Sequence, residues 1–269
     1  MIDVLFTELI LKYLKSQKKD RIIGVYYPSE LPWCLRKIYY DYTIGKDKDL
    51  ESKLVMISGT LMHSFISDVL KFAKSEGIDA QSEVEYEYEI PVENNKVAGS
   101  WKKPAGGVFN EVAGSWKKPA GGVFNEVAGS WEKPAGGVSS IKISGRADNV
   151  ILLKSENDEN TYVVEVKSKS KLPDEPRVEH IMQLNFYLHF NPGAKGYLLY
   201  ITRDGFNMRA FEVNYNEDLF KKLVDRAIIL HNHIINNTLP DAEYWHGECL
   251  KCPYRNICFS VKKSLNSQE

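Results

Sequence analysis

Apolar positions fall three and four apart along residues 4–15 (VLFTELILKYLK), which predicts an amphipathic helix closed by the polar SQKKD stretch. Ser29, shortly before Trp33 and Cys34, reads as the cap of a second helix start. A third helix is expected to open at Gly59, to run through Leu61, Met62, Phe65, Ile66, Val69 and Leu70, and to stop at Gly77. Residues 83–91 (EVEYEYEIP) then alternate strictly, with the acids on one face of a strand and Val84, Tyr86, Tyr88 and Ile90 on the other. Strands at 141–153 and 161–169 form a predicted hairpin that turns at SENDEN. Helical spacing returns over 177–190 and stops at Asn191-Pro192-Gly193. Strands at 196–202 and 208–213 turn at Arg203-Asp204-Gly205, and a helix from about Asp218 to Asn237 leads into the tail. This order predicts an α/β fold, a mixed central sheet flanked by helices.

Between the first two long strands the chain repeats itself. VAGSWKKPAGGVFNE occupies 97–111 and recurs unchanged at 112–126, and a third copy, VAGSWEKPAGGV, covers 127–138 with Glu132 in place of a lysine. A 15-residue period with proline and paired glycines matches no familiar solenoid unit. Undiverged copies read as a recent in-frame duplication at a hairpin tip, tolerated because loop-closure entropy grows slowly with length. Residues 97–138 are therefore expected to be a mobile tandem-repeat insertion in a single domain spanning 1–269. The copies also set Trp101 beside Lys102 and Lys103, and Trp116 beside Lys117 and Lys118, a pairing that suits stacking on single-stranded bases. The plainer reading is a loosely structured insertion.

Charge is balanced, 35 basic against 36 acidic residues, so any nucleic-acid partner must be held by a local basic surface. No apolar run reaches the roughly 18 residues of a membrane span. The opening Met1-Ile2-Asp3-Val4-Leu5-Phe6 carries an early acid, and Glu8 interrupts the apolar run, unlike an export signal. The expectation is a cytoplasmic protein without membrane association, for which a disulfide framework is a poor fit.

The four cysteines are the most informative residues. Cys34 stands alone near the start, and Cys249-x2-Cys252-x5-Cys258 crowd the end of the sequence. If all four thiolates bind one centre, the fold must bring its two ends together around an iron–sulphur cluster or zinc. Structural zinc usually draws on two close pairs, whereas only Cys249 and Cys252 form one here. Cys252-Pro253 has the Cys-Pro of some ferredoxin ligand runs. Unliganded or redox-paired thiols are the remaining reading.

Candidate chemistry lies on the central hairpin. Glu165 and Lys167 are two apart on a strand and project together, with Val164 and Val166 turned into the core. Asp148, in Gly145-Arg146-Ala147-Asp148, can approach Glu165 from the neighbouring strand. Carboxylate oxygens suit Mg2+ or Mn2+. Such an ion polarises a phosphate oxygen and acidifies bound water. Lys167 can orient that water or offset developing negative charge. A surface salt bridge is the bland alternative for Glu165 and Lys167. His63, four residues after Gly59, offers a nitrogen ligand or is simply a packed helix residue. Gln183 and Tyr187, i and i+4 on one helix face, can steer a phosphate or the lysine.

Taken in order, Gly59-x3-His63, Gly145-Arg146-Ala147-Asp148, Glu165-Val166-Lys167 and Gln183-x3-Tyr187 resemble the RecB-type branch of the PD-(D/E)xK nucleases. With one cysteine ahead of these motifs and three behind, the chain resembles the CRISPR-associated RecB-like exonucleases, which share a cysteine-clasped core with the AddB nuclease domain. The similarity runs from about Pro28 to Cys258, the repeats excepted. It implies a restriction-endonuclease-like fold whose two ends are joined by a 4Fe-4S cluster on Cys34, Cys249, Cys252 and Cys258. It also implies a divalent metal on His63, Asp148, Glu165 and the Val166 carbonyl, a catalytic Lys167, and Gln183 and Tyr187 as accessory residues. The implied function is exonuclease cutting of single-stranded DNA that trims new spacers alongside the CRISPR integrase, with room for a homo-oligomer. The chain departs from the family pattern in three places, one of them the long hairpin insertion, which can alter substrate access or assembly. Arg36 and Lys37 match its basic pair in part, and Ser67, with Asp68 beside it, stands where some relatives carry an acid. A different class, a non-catalytic iron–sulphur scaffold that binds nucleic acid, is the alternative; the presence of Asp148, Glu165 and Lys167 together argues for an active site.

Overall fold

The computed structural model describes residues 2–16, 21–45, 50–76, 78–93, 96–97, 140–155, 158–243 and 248–259. The tandem repeats beyond Val97, and with them their reading as a mobile insertion, lie outside the described residues. In chain order the elements are α1 (Ile2–Ser16), β1 (Val25–Tyr26), α2 (Leu35–Thr43), α3 (Leu50–Ala73), β2 (Asp79–Glu93), β3 (Lys96–Val97), β4 (Ser140–Ser155), β5 (Asp158–Lys169), α4 (Val178–His189), β6 (Lys195–Thr202), β7 (Met208–Val213) and α5 (Glu217–Ile235). Short 3-10 turns follow α3 and span Glu248–Leu250. No helix among the described residues is long and apolar enough to cross a membrane.

The strands make one mixed sheet in the order β3-β2-β4-β5-β6-β7, with β1 joined to β4. β4 changes partner along its length. Its C-terminal half pairs antiparallel with β5, from Asn149 opposite Val164 to Ser155 opposite Asp158. Its N-terminal half pairs instead with β1, in parallel, at Lys142 and Ile143. β2 runs antiparallel along its other edge, and β5 carries on beyond the divergence as the parallel neighbour of β6. A fork therefore opens between β4 and β5 just past the Asn149–Val164 pair.

Side-chain alternation sorts the layers. Val163 on β5 and Leu198 and Tyr200 on β6 join the main core, with Leu184, Phe186 and Leu188 of α4 and Phe220, Leu223 and Ala227 of α5. Val166 and Ile201, of opposite parity, pack on Met62 of α3 in a smaller cluster. So α4 lies on one face of the sheet, backed by α5 and α2, and α3 lies on the other. α4 is buried on nearly every side, and it is the crossover that makes β5 and β6 parallel.

Three sequence expectations change. The second helix starts after Cys34, its N-cap residue, and not after Ser29, whose carbonyl accepts from the Trp33 indole. α3 begins at Leu50, because LESKLVMIS contains no helix breaker, and Gly59 falls inside it. A Cβ at Gly59 would come within 3.2 Å of Ser168 Oγ, so that glycine serves the close passage of α3 over β5. Of the apolar residues expected on this helix, Met62 is buried and Ile66 partly so, whereas Leu61, Phe65 and Val69 face outward. The SENDEN turn is also shorter than expected, since Ser155 and Asp158 already pair.

Candidate active site

The fork gathers the hairpin residues. At the end of the β4–β5 ladder Asp148 replaces a backbone partner with its side chain, and its Oδ2 accepts the Val166 N–H at 2.7 Å. Its Oδ1 lies 3.0 Å from His63 Nδ1 on α3. Across the ladder from Asp148, Glu83 takes a left-handed φ of 57°, a conformation side chains other than glycine seldom adopt. The β2–β4 register skips that one pair and resumes on either side.

Glu165 is 2% exposed, which rules out the surface salt bridge. Its Oε1 accepts from Lys167 Nζ at 2.7 Å and from Gln183 Nε2 at 2.6 Å. Gln183 Oε1 in turn accepts from Lys167 at 2.8 Å, and Tyr187 OH lies 3.5 Å from Gln183 Nε2. One face of α4 thus fixes the lysine through a closed triangle of hydrogen bonds. Burial, with the nearby Asp148 charge, pushes the Glu165 carboxyl up to about 7. Burial pulls His63 down, but its hydrogen bond to Asp148 outweighs this and raises it. Burial also drives the Tyr187 phenol well above its usual range, so the ring is a fixed hydrogen-bonding post.

Whether these groups suit a divalent metal turns on the one oxygen of Glu165 that is left over. Glu165 Oε2 is buried and has no hydrogen-bond partner among the described residues. A buried carboxylate oxygen without a partner is costly, and a hard cation would supply the missing partner. His63 Nε2 and the two carboxylates complete a donor set of the right chemistry. As placed, no three His, Cys, Asp or Glu side chains among the described residues form a group that could hold a metal. Asp68 is far more exposed and bonds Lys71, so it stands apart from this set.

The other sequence-predicted group lies at the chain's two ends. Cys34, Cys249, Cys252 and Cys258 line one cavity together with Arg36, Lys37, Tyr40, Tyr254 and Arg255. None of the four forms a disulfide, all are half-buried, and burial raises the Cys252 thiol. Arg36 Nη1 donates to Cys258 Sγ at 3.7 Å while its Nε donates to the Pro240 carbonyl. Lys37 is paired with Asp41.

Several supporting residues escaped the sequence reading. A Cβ on Gly145 would lie 2.5 Å from Pro28 Cγ and 3.0 Å from Tyr187 OH, so the glycine in Gly-Arg-Ala-Asp admits both to the fork. Arg226 of α5 donates to the carbonyls of Leu31 and Trp33 and holds Glu243 with two nitrogens, at 2.7 and 2.9 Å. Glu243 accepts the Leu35 N–H at 2.7 Å. Trp33 stacks under the Arg177 guanidinium at 4.7 Å, which ties the first cysteine's neighbour to the start of α4. Contacts this distant in sequence leave no local pattern.

A mixed sheet forked at an Asp, with a buried Glu-x-Lys on the adjoining strand, defines a nuclease fold, and the chain belongs to the PD-(D/E)XK nuclease superfamily, whose family model matches residues 30–259. Over 119 residues it is 31% identical to the CRISPR-associated exonuclease Cas4 of Saccharolobus solfataricus, a match that takes in 44% of this chain and 52% of that protein. The chain spans about half the length of the curated relative it matches. The whole fold is similar to the crystal structure of SSO0001, with a TM-score of 0.54 over 94% of this chain and 96% of that one, at 23% identity.

Proposed function

We propose that this chain is a Mg2+- or Mn2+-dependent nuclease that cuts single-stranded DNA from an end, at the β4–β5 fork. The observation that carries the reading is the buried Glu165, with one oxygen clamped by Lys167 and Gln183 and the other unpartnered. In this reading His63, Asp148, Glu165 and the Val166 carbonyl would hold the ion. Bound there, a divalent metal supplies Lewis acidity to a phosphate oxygen and acidifies a coordinated water. The chain's own residues do the rest. Asp148, fixed by His63 and the Val166 N–H, keeps its carboxylate facing the fork. Lys167, held by Glu165 and Gln183, presents its ammonium to the attacked phosphodiester. Gln183 sets the lysine's position, with Tyr187 beside it.

The four cysteines would hold a 4Fe-4S cluster. What supports this is the shared cavity, the softness of the donors and their origin in both chain ends. There the cluster would fasten the segment before α2 to the tail. Similarity to a CRISPR-associated exonuclease supports a nuclease role in a CRISPR setting; spacer trimming beside the CRISPR integrase in the cytoplasm, by a single domain of 1–269 with 97–138 as its insertion, completes the proposal.

The test is digestion of end-labelled single-stranded DNA by anoxically purified protein. Cutting that needs Mg2+ or Mn2+ and shortens the strand progressively is expected. Binding without cutting would favour a non-catalytic scaffold. Iron and acid-labile sulphide in roughly equal amounts, with broad visible absorbance, are expected of the cluster, whereas bound zinc without colour would contradict it.

A further inference from the structure

The carboxyl ends of β5 and β6 collect cations that the chemistry at the fork does not use. Lys169 stands one two-residue step past Lys167 on the same face of β5, about 6.6 Å along the strand. It lies across the parallel ladder from Thr202, and Arg203 donates its backbone N–H to the Lys169 carbonyl at 3.0 Å. Arg177 stands at the start of α4, bonded to Glu179 and Glu248, where no side chain caps the helix. Lys169 is half-buried, and its ammonium makes no hydrogen bond or ion pair among the described residues. Burial, with the charges of Arg177, Lys167 and Arg203, pushes it below the usual lysine range, against the opposing pull of Glu248.

Glu248 acts on Lys169 without closing an ion pair with it, so the half-buried ammonium has room for a further anion. Carboxyl ends of parallel strands facing a helix N-terminus are where α/β sheets bind anionic ligands. We infer that Lys169, flanked by Arg177 and Arg203, forms a phosphate subsite that holds the phosphodiester next to the one at Glu165 and Lys167. The two-residue step along β5 is close to the spacing of successive phosphates in an extended strand. The inference rests on the nuclease reading and gives it a direction, with the single strand leaving the fork along β5 toward α4.

The test is binding of a fluorescein-labelled single-stranded oligonucleotide in EDTA, followed by anisotropy across a salt series. It compares the wild type with Lys169→Ala, Lys169→Arg and the surface control Arg209→Ala, all with matched melting temperatures. Loss of one phosphate contact should lower the log–log salt slope of Lys169→Ala by about 0.7 and weaken binding on the order of ten-fold. Lys169→Arg should restore both, and Arg209→Ala should match the wild type. An unchanged slope in Lys169→Ala, with the wild type binding and cutting the same strand in Mn2+, would overturn the subsite and leave the nuclease reading intact. A wild type that neither binds nor cuts would overturn both.

Discussion

The Asp148 carboxylate accepts the Val166 N–H at 2.7 Å where the β4–β5 ladder stops, so one side chain both ends a strand pairing and opens a site. The two roles can be separated by mutation. Asp148→Asn keeps an oxygen for Val166 and should fold, yet lose metal-dependent cutting. Asp148→Ala leaves a buried N–H unpaired and should also lose about 1–3 kcal/mol of stability. Urea denaturation beside a nuclease assay distinguishes them; equal stability of the two variants would contradict the structural half of this role.

Glu165→Gln keeps a hydrogen-bond acceptor for Lys167 and Gln183 while removing the charge on the unpartnered oxygen. Calorimetric Mn2+ binding by the wild type should be lost or weakened at least ten-fold in the variant, with the fold retained. Unaltered affinity would place the metal elsewhere.

At Gly145 even a methyl group is excluded by Pro28 and the Tyr187 hydroxyl. Gly145→Ala should cost about 1–3 kcal/mol through overpacking and should disturb the Tyr187–Gln183–Lys167 chain of contacts, slowing cleavage. The variant's melting temperature and turnover check this together; full activity would mean that the fork tolerates displacement of Tyr187.

Much of this was legible in the sequence. The alternation at 83–91 does set the glutamates outward and Ile90 inward, and the 3.6-residue spacing at 177–190 does yield α4. A strand's period of two puts Glu165 and Lys167 on one face, and the structure joins them by a hydrogen bond. Depth was not legible. Whether Glu165 faces water or core depends on α4 covering it, a contact made 18 residues later in the chain. The start of α3 is not legible, because a glycine reads as a boundary when its reason for being there, Ser168, lies on another element.

Arg226 joins α5 to the segment carrying Cys34 and, through Glu243, to the chain leading to the other cysteines. Arg226→Ala should lower stability by about 2–3 kcal/mol and reduce iron content after anoxic purification. Arg226→Lys should not rescue it, because a lysine cannot repeat the forked contact. Iron analysis and thermal melting give the answer, and wild-type values in both would remove Arg226 from this role.

Glu243 supplies a pH dependence. Burial raises its carboxyl, but hydrogen bonds from Arg226 and the Leu35 N–H outweigh this and hold it below the usual carboxylate value. Its native value is thus depressed relative to the unfolded chain, so its stabilisation is present above the ordinary 4.5 and is lost as pH falls below that through the native value. Glu243→Gln should therefore flatten the acid limb of a melting-temperature profile. A parallel, merely shifted limb would contradict the linkage.

The most direct measurement is cleavage of end-labelled single-stranded DNA in Mn2+ by anoxically purified protein beside Lys167→Ala, at equal iron content and equal melting temperature. Metal-dependent cutting by the wild type that falls at least a thousand-fold in the variant, while DNA binding persists, is the predicted result for a lysine that acts on the phosphodiester in the transition state (an order of magnitude on the scale of electrostatic catalysis). Cutting that survives in Lys167→Ala would contradict the placement of the active site at the β4–β5 fork.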